Sequence, residues 1–393
     1  MKVTGVRTTL FEIQLSRRIG DANSPAGHDR MASVAVFVDT DEGLEGIALT
    51  SPAARPHVHA LVSDVLVGAD PRGVRGHWKR MVDLVFKGGN AGIVSDALSA
   101  VDVALWDLKA KAVGEPLWRL LGASSGRAKA YASGIDMPLN DDALCTFYQG
   151  LAARGIAAGK LKVGLDPQAD LRRIGIMREA LSTSGAAPLL MVDANEYWSP
   201  KQAIRRVRTF EDHYDLMWVE EPARRWDYRG LRKVSQSIRA AVATGENLDD
   251  ISQFTPLISN GAVDVVQIGA GTSGITGAMQ VADLAYAFDL PVSMMNCPGN
   301  FMAHVAAALP NHVMMEVIDA GRDAVMRVDS TIEGGWIVLG DSPGLGMSFD
   351  TAKLARAAVE VPSRDAGPSP WGRRPGAGLY EVPPTVEDML GEG

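Results

Sequence analysis

Three carboxylates stand at the ends of short apolar runs. Leu189-Leu190-Met191-Val192 leads into Asp193, Leu216-Met217-Trp218-Val219 into Glu220, and Ala241-Val242-Ala243-Thr244-Gly245 into Glu246. Runs of this length and composition read as buried strands. The acids recur at intervals of 27 and 26 residues, about one strand-helix unit, so the three strand ends are expected side by side. Oxygen ligands alone suit a hard dication, Mg²⁺ or Mn²⁺, rather than zinc. Any one of these acids also fits a salt bridge or a helix N-cap. Their recurrence in consecutive units is what favours a metal site.

One unit earlier lies Lys160-Leu161-Lys162. Alternate residues of a strand share a face, so both ammonium groups are expected inside the sheet's closed face. Each lysine lowers the pKa of the other, and a nearby dication lowers both further. A lysine tuned in this way is expected to be neutral near pH 7 and to act as a general base. The competing reading is a pair of lysines snorkelling from a rim.

The elements that must position these groups change character along the chain. Residues 1–125 read as an α+β unit, with strands Val3–Leu15 and Ala32–Thr40 joined by a polar loop, Ser16–Met31. A helix from about Ala91 to Val113 follows, stopped by Gly114-Glu115-Pro116, with a short helix over Leu117–Leu121. From 126 to 330 short apolar runs alternate with amphipathic helical runs. Strands are expected near Lys129–Ser133, Lys160–Val163, Leu189–Asp193, Leu216–Glu220, Val242–Glu246, Val263–Ile268, Val292–Met295 and Val313–Val317. Eight strands with helices between most of them favour a closed α/β barrel, whose working residues lie at the C-terminal strand ends. Residues 331–360 carry short strand and turn signals and are expected to return to the first unit. The Pro- and Gly-rich stretch 361–393 reads as a disordered or partner-bound tail.

Bulk properties narrow the class. The chain has 393 residues, 46% hydrophobic content and a formal net charge of −8. An acidic balance argues against nucleic acid or an anionic membrane as partner. Cys145 and Cys297 are the only cysteines, too few for a disulfide framework. The N-terminus lacks the long apolar run of a signal peptide, and no apolar stretch reaches the ~18 residues of a membrane span. A cytoplasmic protein in a reducing compartment is expected.

Taken together these residues resemble the enolase superfamily, in its mandelate racemase/muconate lactonizing enzyme-like group and nearest the mandelate racemase branch. The resemblance is carried by Ser99-Ala100-Val101-Asp102-Val103-Ala104-Leu105-Trp106-Asp107, Gly114-Glu115-Pro116-Leu117, Lys160-Leu161-Lys162, Asp193-Ala194-Asn195, Trp218-Val219-Glu220-Glu221-Pro222 and Gly245-Glu246-Asn247. It implies an N-terminal α+β capping domain on a (β/α)7β barrel. It implies Mg²⁺ on Asp193, Glu220 and Glu246, with Lys162 as the base and Lys160 at the substrate carboxylate. By the same resemblance Asn195 and Asn296 contact the substrate, and Glu316 hydrogen-bonds its carboxylate. Glu220 is preferred over Glu221 as ligand, because Glu221 should point to the opposite face of the strand.

The branch usually carries a second base, a His on the seventh strand held by an Asp on the sixth. Here Ile268 or Gly269 falls in the Asp position and Met295 in the His position. A two-base proton transfer then lacks its second base, and a dehydratase or cycloisomerase using one lysine is expected on a small hydroxy-carboxylate or acid sugar. Two alternatives remain open. One is a racemase or epimerase with a second acid from a capping loop. The other is a metal- and carboxylate-binding protein without turnover. His28, His57 and His59 lie in capping loops, Tyr197 and Cys297 are weak candidates, and His304 reads as packing. Specificity is expected from loops Ser16–Met31 and Leu49–His59, which hold Arg17, Arg18, Arg30 and Arg55. Even-numbered homo-oligomers are common among similar proteins, so self-association is expected.

Gly269-Ala270-Gly271-Thr272-Ser273-Gly274 is a literal GxGxxG. A dinucleotide site needs an acid at the end of the next strand, and Met294-Met295-Asn296 has none. These glycines are instead expected to open space in the pocket or to turn backbone N–H groups toward a substrate anion.

Overall fold

The computed structural model describes residues 1–363, 372–374 and 376–378. Most of the expected 361–393 tail therefore lies outside the described residues. The first unit is a three-stranded antiparallel sheet of β1 (Val3–Ile19), β2 (His28–Thr40) and β3 (Glu45–Thr50), backed by the helix Ile93–Val113. β1 and β2 extend further than their apolar alternation suggested, so the polar loop shrinks to a short hairpin tip. Backbone pairing carries the hairpin through polar positions as far as Ile19↔His28. The tip then docks on the barrel, where Gly20 N donates to Ile135 O and Met137 N to Gly20 O.

Eight parallel strands follow: β4 (Arg127–Ser133), β5 (Ala158–Lys162), β6 (Leu189–Asp193), β7 (Leu216–Glu220), β8 (Ala241–Thr244), β9 (Val265–Ile268), β10 (Val292–Met294) and β11 (His312–Val317). They pair in chain order, and β11 closes on β4. Seven helices, from Asp141–Ala152 to Ala303–Ala308, fill the connections and give the (β/α)7β arrangement. Period-two alternation builds the interior in layers. Tyr131, Ala158, Met191, Trp218, Ala243, Val265 and Met314 form an apolar floor. Tyr131 and Trp218 meet edge to face at 5.4 Å between ring centroids. Two residues further along the same strands come Lys160, Asp193, Glu220, Gln267 and Glu316, all buried. Among the described residues no helix is long and apolar enough to cross a membrane.

Residues 331–357 divide between the two units. Trp336–Val338 pairs antiparallel with the start of β4. Met347–Phe349 and the helix Thr351–Ala357 reach the capping sheet, where Phe349 stacks near Phe37 (5.1 Å) and Phe11 (6.5 Å). His304 is buried between them, accepting from Trp118 N at 3.0 Å and lying 3.1 Å from Leu345 O, a structural bridge.

The helix Ile93–Val113 is buried along most of its length because it packs on both units. Two of its three acids are fasteners. Asp102 accepts from Thr276 N (2.9 Å) and Thr276 Oγ1 (2.7 Å) at the start of the helix Gly274–Ala287. Asp107 accepts from Ile47 N and Leu345 N, both at 2.9 Å, and from Lys111 Nζ at 2.6 Å. This contact also accounts for the GxGxxG segment, and it overturns the pocket role expected for it. None of its residues lines the cavity described below. Gly274 has φ +72°, and a Cβ there would sit 2.5 Å from Asp102 Oδ2. The glycine is needed so that the capping helix can approach the barrel.

Asp107 is fully buried, and its removal strands two backbone donors and a lysine. Asp107→Ala is expected to cost about 3–5 kcal/mol, read as a lower urea midpoint. A loss below about 1 kcal/mol would show that the capping sheet is held without it.

Candidate active site

The register of the barrel brings the expected site residues together. Lys162 lies beside Asp193, and Asp193 beside Glu220, in adjacent parallel pairs. Glu246 arrives differently. β8 ends at Thr244, not at Glu246, and Gly245 turns the chain back with φ +134°. A Cβ at Gly245 would lie 2.4 Å from Gln267 O, so only glycine allows this turn. One carboxylate oxygen from each of Asp193, Glu220 and Glu246 then falls within 4.8 Å of the others.

Lys160 Nζ donates to Glu220 Oε1 and lies 2.9 Å from Glu316 Oε1 and 3.3 Å from Asp193 Oδ2. Lys162 Nζ donates to Asp193 Oδ2 (2.5 Å) and Asn195 Oδ1 (2.8 Å). Asn296 Nδ2 donates to Glu316 Oε2. Asn195 and Glu196 both take left-handed backbone, with φ of +44° and +57°. That turn presents Asn195 to Lys162, and Asn23 of the hairpin tip donates to Asn195 O at 3.0 Å.

The electrostatics follow from packing many charges into a dry barrel. Burial opposes charge on Asp193, but Lys162 and Lys160 outweigh it and hold the carboxyl at about 2. Glu316 sits at about 2 because Lys160 and Lys162 overcome its burial. Burial and the nearby carboxylates push Glu220 well up, and burial leads in raising Glu246 to about 7. Burial alone would lower both lysines. Glu220 and Glu316 raise Lys160, and Asp193 raises Lys162, so both are protonated. The carboxylates around each ammonium outweigh the repulsion between the two.

Three other expectations are corrected. Glu221 does not face away. Its φ of +42° takes it out of strand geometry, and it lines the cavity with Asn247 Nδ2 donating to Oε1. The loop Leu49–His59 does not reach the cavity. Most of it is helical and packs on the capping unit, where Arg55 and His59 both bond Thr8 Oγ1. Arg17, Arg18 and Arg30 are spent on Asp319 O, Gly27 O and Glu12. The cavity, about 440 Å³, is instead rimmed by Arg224, Arg225 and Arg373, with Asp21 and Asn23 from the hairpin tip. No histidine lines it. Tyr197 is absent from the lining, and Cys297 is buried with its thiol pushed up to about 12.

Gln267 is a residue that the spacing alone could have revealed, since it is the inward position above Val265. Its Nε2 donates to Glu220 Oε2. Two buried acceptors here have no donor: Gln267 Oε1 and Glu221 Oε2. Crowded carboxylates and orphaned acceptor oxygens are what a hard dication satisfies, so the donor set fits Mg²⁺.

Known proteins share this fold. Residues 145–353 match the family model of the enolase C-terminal domain-like proteins, and 24–122 match that of the mandelate racemase / muconate lactonizing enzyme N-terminal domain. The 3,6-anhydro-alpha-L-galactonate cycloisomerase of Streptomyces coelicolor is 32% identical over 90% of this chain and 99% of its own. The D-galactarolactone cycloisomerase of Agrobacterium fabrum is 29% identical over 92% of this chain and 100% of its own. A crystal structure of L-talarate/galactarate dehydratase from Salmonella typhimurium, liganded with Mg and L-lyxarohydroxamate, superposes with a TM-score of 0.81 at 26% identity, covering 91% of this chain and 93% of that one. With both units matched and the barrel closed as above, this chain belongs to the mandelate racemase/muconate lactonizing enzyme family of the enolase superfamily.

Proposed function

We propose that the protein is a Mg²⁺-dependent enzyme that removes the proton α to a carboxylate and completes a dehydration or a cycloisomerisation of an acid sugar. The observation that carries this reading is Lys162, whose ammonium bridges Asp193 and Asn195 at the floor of a cavity without histidine. Asp193, Glu220 and Glu246 would hold the cation. When bound, the cation supplies fixed positive charge against the enediolate that proton removal creates.

The side chains supply the rest. Lys162 takes the proton; for that it must first lose its own, and a cation on the triad would draw on Asp193, the carboxylate that pairs with Lys162. Freed from that carboxylate, its pKa falls. Lys160 keeps its charge and donates to the substrate carboxylate. Asn195 and Asn296 donate to substrate oxygens. Glu316 is ionised beside Lys160, so to donate a hydrogen bond to the substrate carboxylate it must bind a proton. A second carboxylate brought into the site favours that uptake by like-charge crowding. A lysine on one face can also return its proton to a leaving hydroxyl or a ring oxygen on that face, which both reactions need. Epimerisation needs a second acid. Asp21 favours that second reading, because it is a buried carboxyl lining the cavity from the capping hairpin, with burial raising its pKa.

Lys162→Ala is expected to slow exchange of a substrate's α-proton with D₂O by roughly 10²–10⁴-fold without weakening Mg²⁺ binding. Exchange persisting in that variant would exclude Lys162 as the base. Incorporation of deuterium into both stereoisomers of the starting acid, lost in Asp21→Asn, would establish the epimerase reading instead. Saturating Mg²⁺ at about 100 times its Kd should add about 2.7 kcal/mol of stability, seen as a higher Tm. Glu246→Gln should remove most of that increment, and an undiminished increment would place the ion elsewhere.

A further inference from the structure

Three arginines, Arg224, Arg225 and Arg373, line the cavity. Arg225 Nε lies 2.6 Å from Glu196 Oε1, and its Nη1 donates to Asn247 O at 2.8 Å. Arg224 Nη1 is only loosely paired with the same acid, 3.8 Å from Glu196 Oε2. Arg373 comes from the C-terminal segment, which Arg374 N ties to Asn23 Oδ1 of the capping hairpin at 3.1 Å. Arg373 Nη2 donates to Ala377 O (2.6 Å) and Tyr197 O (3.4 Å), whereas Nη1 is buried with no partner. Arg224 and Arg225 thus share one carboxylate, and among the described residues Arg373 pairs with none. Peptide carbonyls satisfy hydrogen bonds but carry no net charge, and burial and Arg224 both work against the charge on Arg373. Arginine does not shed its proton in proteins, so these partly buried charges favour an anion in the cavity.

We infer that Arg373 and Arg224 receive a second carboxylate at the distal end of the substrate, which makes the substrate a sugar dicarboxylate or its monolactone rather than a monocarboxylate. This rests on the reading above that the first carboxylate lies at Lys160 and the metal triad. Lys162, Glu246, Arg224 and Arg373 all line this one cavity. A planar guanidinium with a free Nη1 edge accepts a carboxylate in a geometry that ammonium groups do not reproduce. A purely structural role, anchoring the C-terminal segment, would use only Nη2 and would be indifferent to what the cavity holds.

The test compares galactarate with galactonate, which differ only in the terminal carboxylate. Calorimetric titration uses the full chain loaded with Mg²⁺ and carrying Lys162→Ala to stop turnover. The parent should prefer galactarate. Adding Arg373→Ala should lower the galactarate-to-galactonate affinity ratio by about ten- to a hundredfold, and Arg373→Lys should restore part of it. An unchanged ratio in Arg373→Ala, or a parent that prefers galactonate or binds neither acid, overturns the inference. Lys162-dependent α-proton exchange with any monocarboxylic acid sugar, observed alongside an unchanged ratio, would sink the dicarboxylate inference and leave the proton-abstraction reading standing.

Discussion

Carboxylates that cannot move apart are the constraint on which the rest depends. Asp193, Glu220, Glu246 and Glu316 sit at the open end of a closed barrel, each fixed by its strand or by a glycine turn. Two ammonium groups offset part of this charge, and burial with mutual repulsion pushes Glu220 and Glu246 up. An arrangement of this kind is poorly balanced by itself. A dication held by Asp193, Glu220 and Glu246 would balance it and would supply positive charge beside Lys162. Asp193 is both the hydrogen-bond partner of Lys162 and a member of that triad.

That end of the barrel was largely legible in the sequence because it obeys a period of two. Ala158, Lys160 and Lys162 alternate inward, and the same step places Asp193 and Glu220 above Met191 and Trp218. What was not legible is where the chain leaves the strand pattern. Glu221 enters the cavity through a positive φ at a non-glycine residue, which no periodicity signals. Arg373 enters through a Pro- and Gly-rich stretch whose composition says nothing about where it goes. Its position is set by single long-range bonds to Tyr197 and Asn23. The surroundings of the two lysines were partly hidden for a related reason. Spacing showed the neighbouring ammonium, but not how many acids would surround it.

The capping unit shows the same division between rule and exception. Its sheet and its buried helix follow from apolar alternation and helical periodicity. Its placement over the barrel follows from fasteners that look like ordinary surface letters in the sequence. Asp102 and Asp107 are buried acids of a mostly apolar helix; Asp102 binds Thr276 of the barrel, and Asp107 ties the helix to β3 at Ile47 and to the C-terminal segment at Leu345. Fully satisfied buried acids of this sort fix register between units more sharply than apolar contact does. That precision matters because the hairpin tip carrying Asp21 and Asn23 has to meet the turn at Asn195.

The missing His–Asp pair can be understood in the same terms. Ile268 and Met295 are both buried, Met295 N donates to Ile268 O, and neither side chain lines the cavity. An orienting aspartate left without its histidine would be an uncompensated buried charge, costing about 3–5 kcal/mol. Loss of one member therefore favours loss of the other, and an apolar pair is the stable replacement. The inward polar position next to it, Gln267, remains and is turned to Glu220 instead. The end of the sixth strand thus carries no proton-transfer group, and its Gln267 hydrogen-bonds Glu220 of the carboxylate triad. The capping hairpin brings one further carboxyl group to the cavity, Asp21, held by the N–H groups of Asn23 and Ser24.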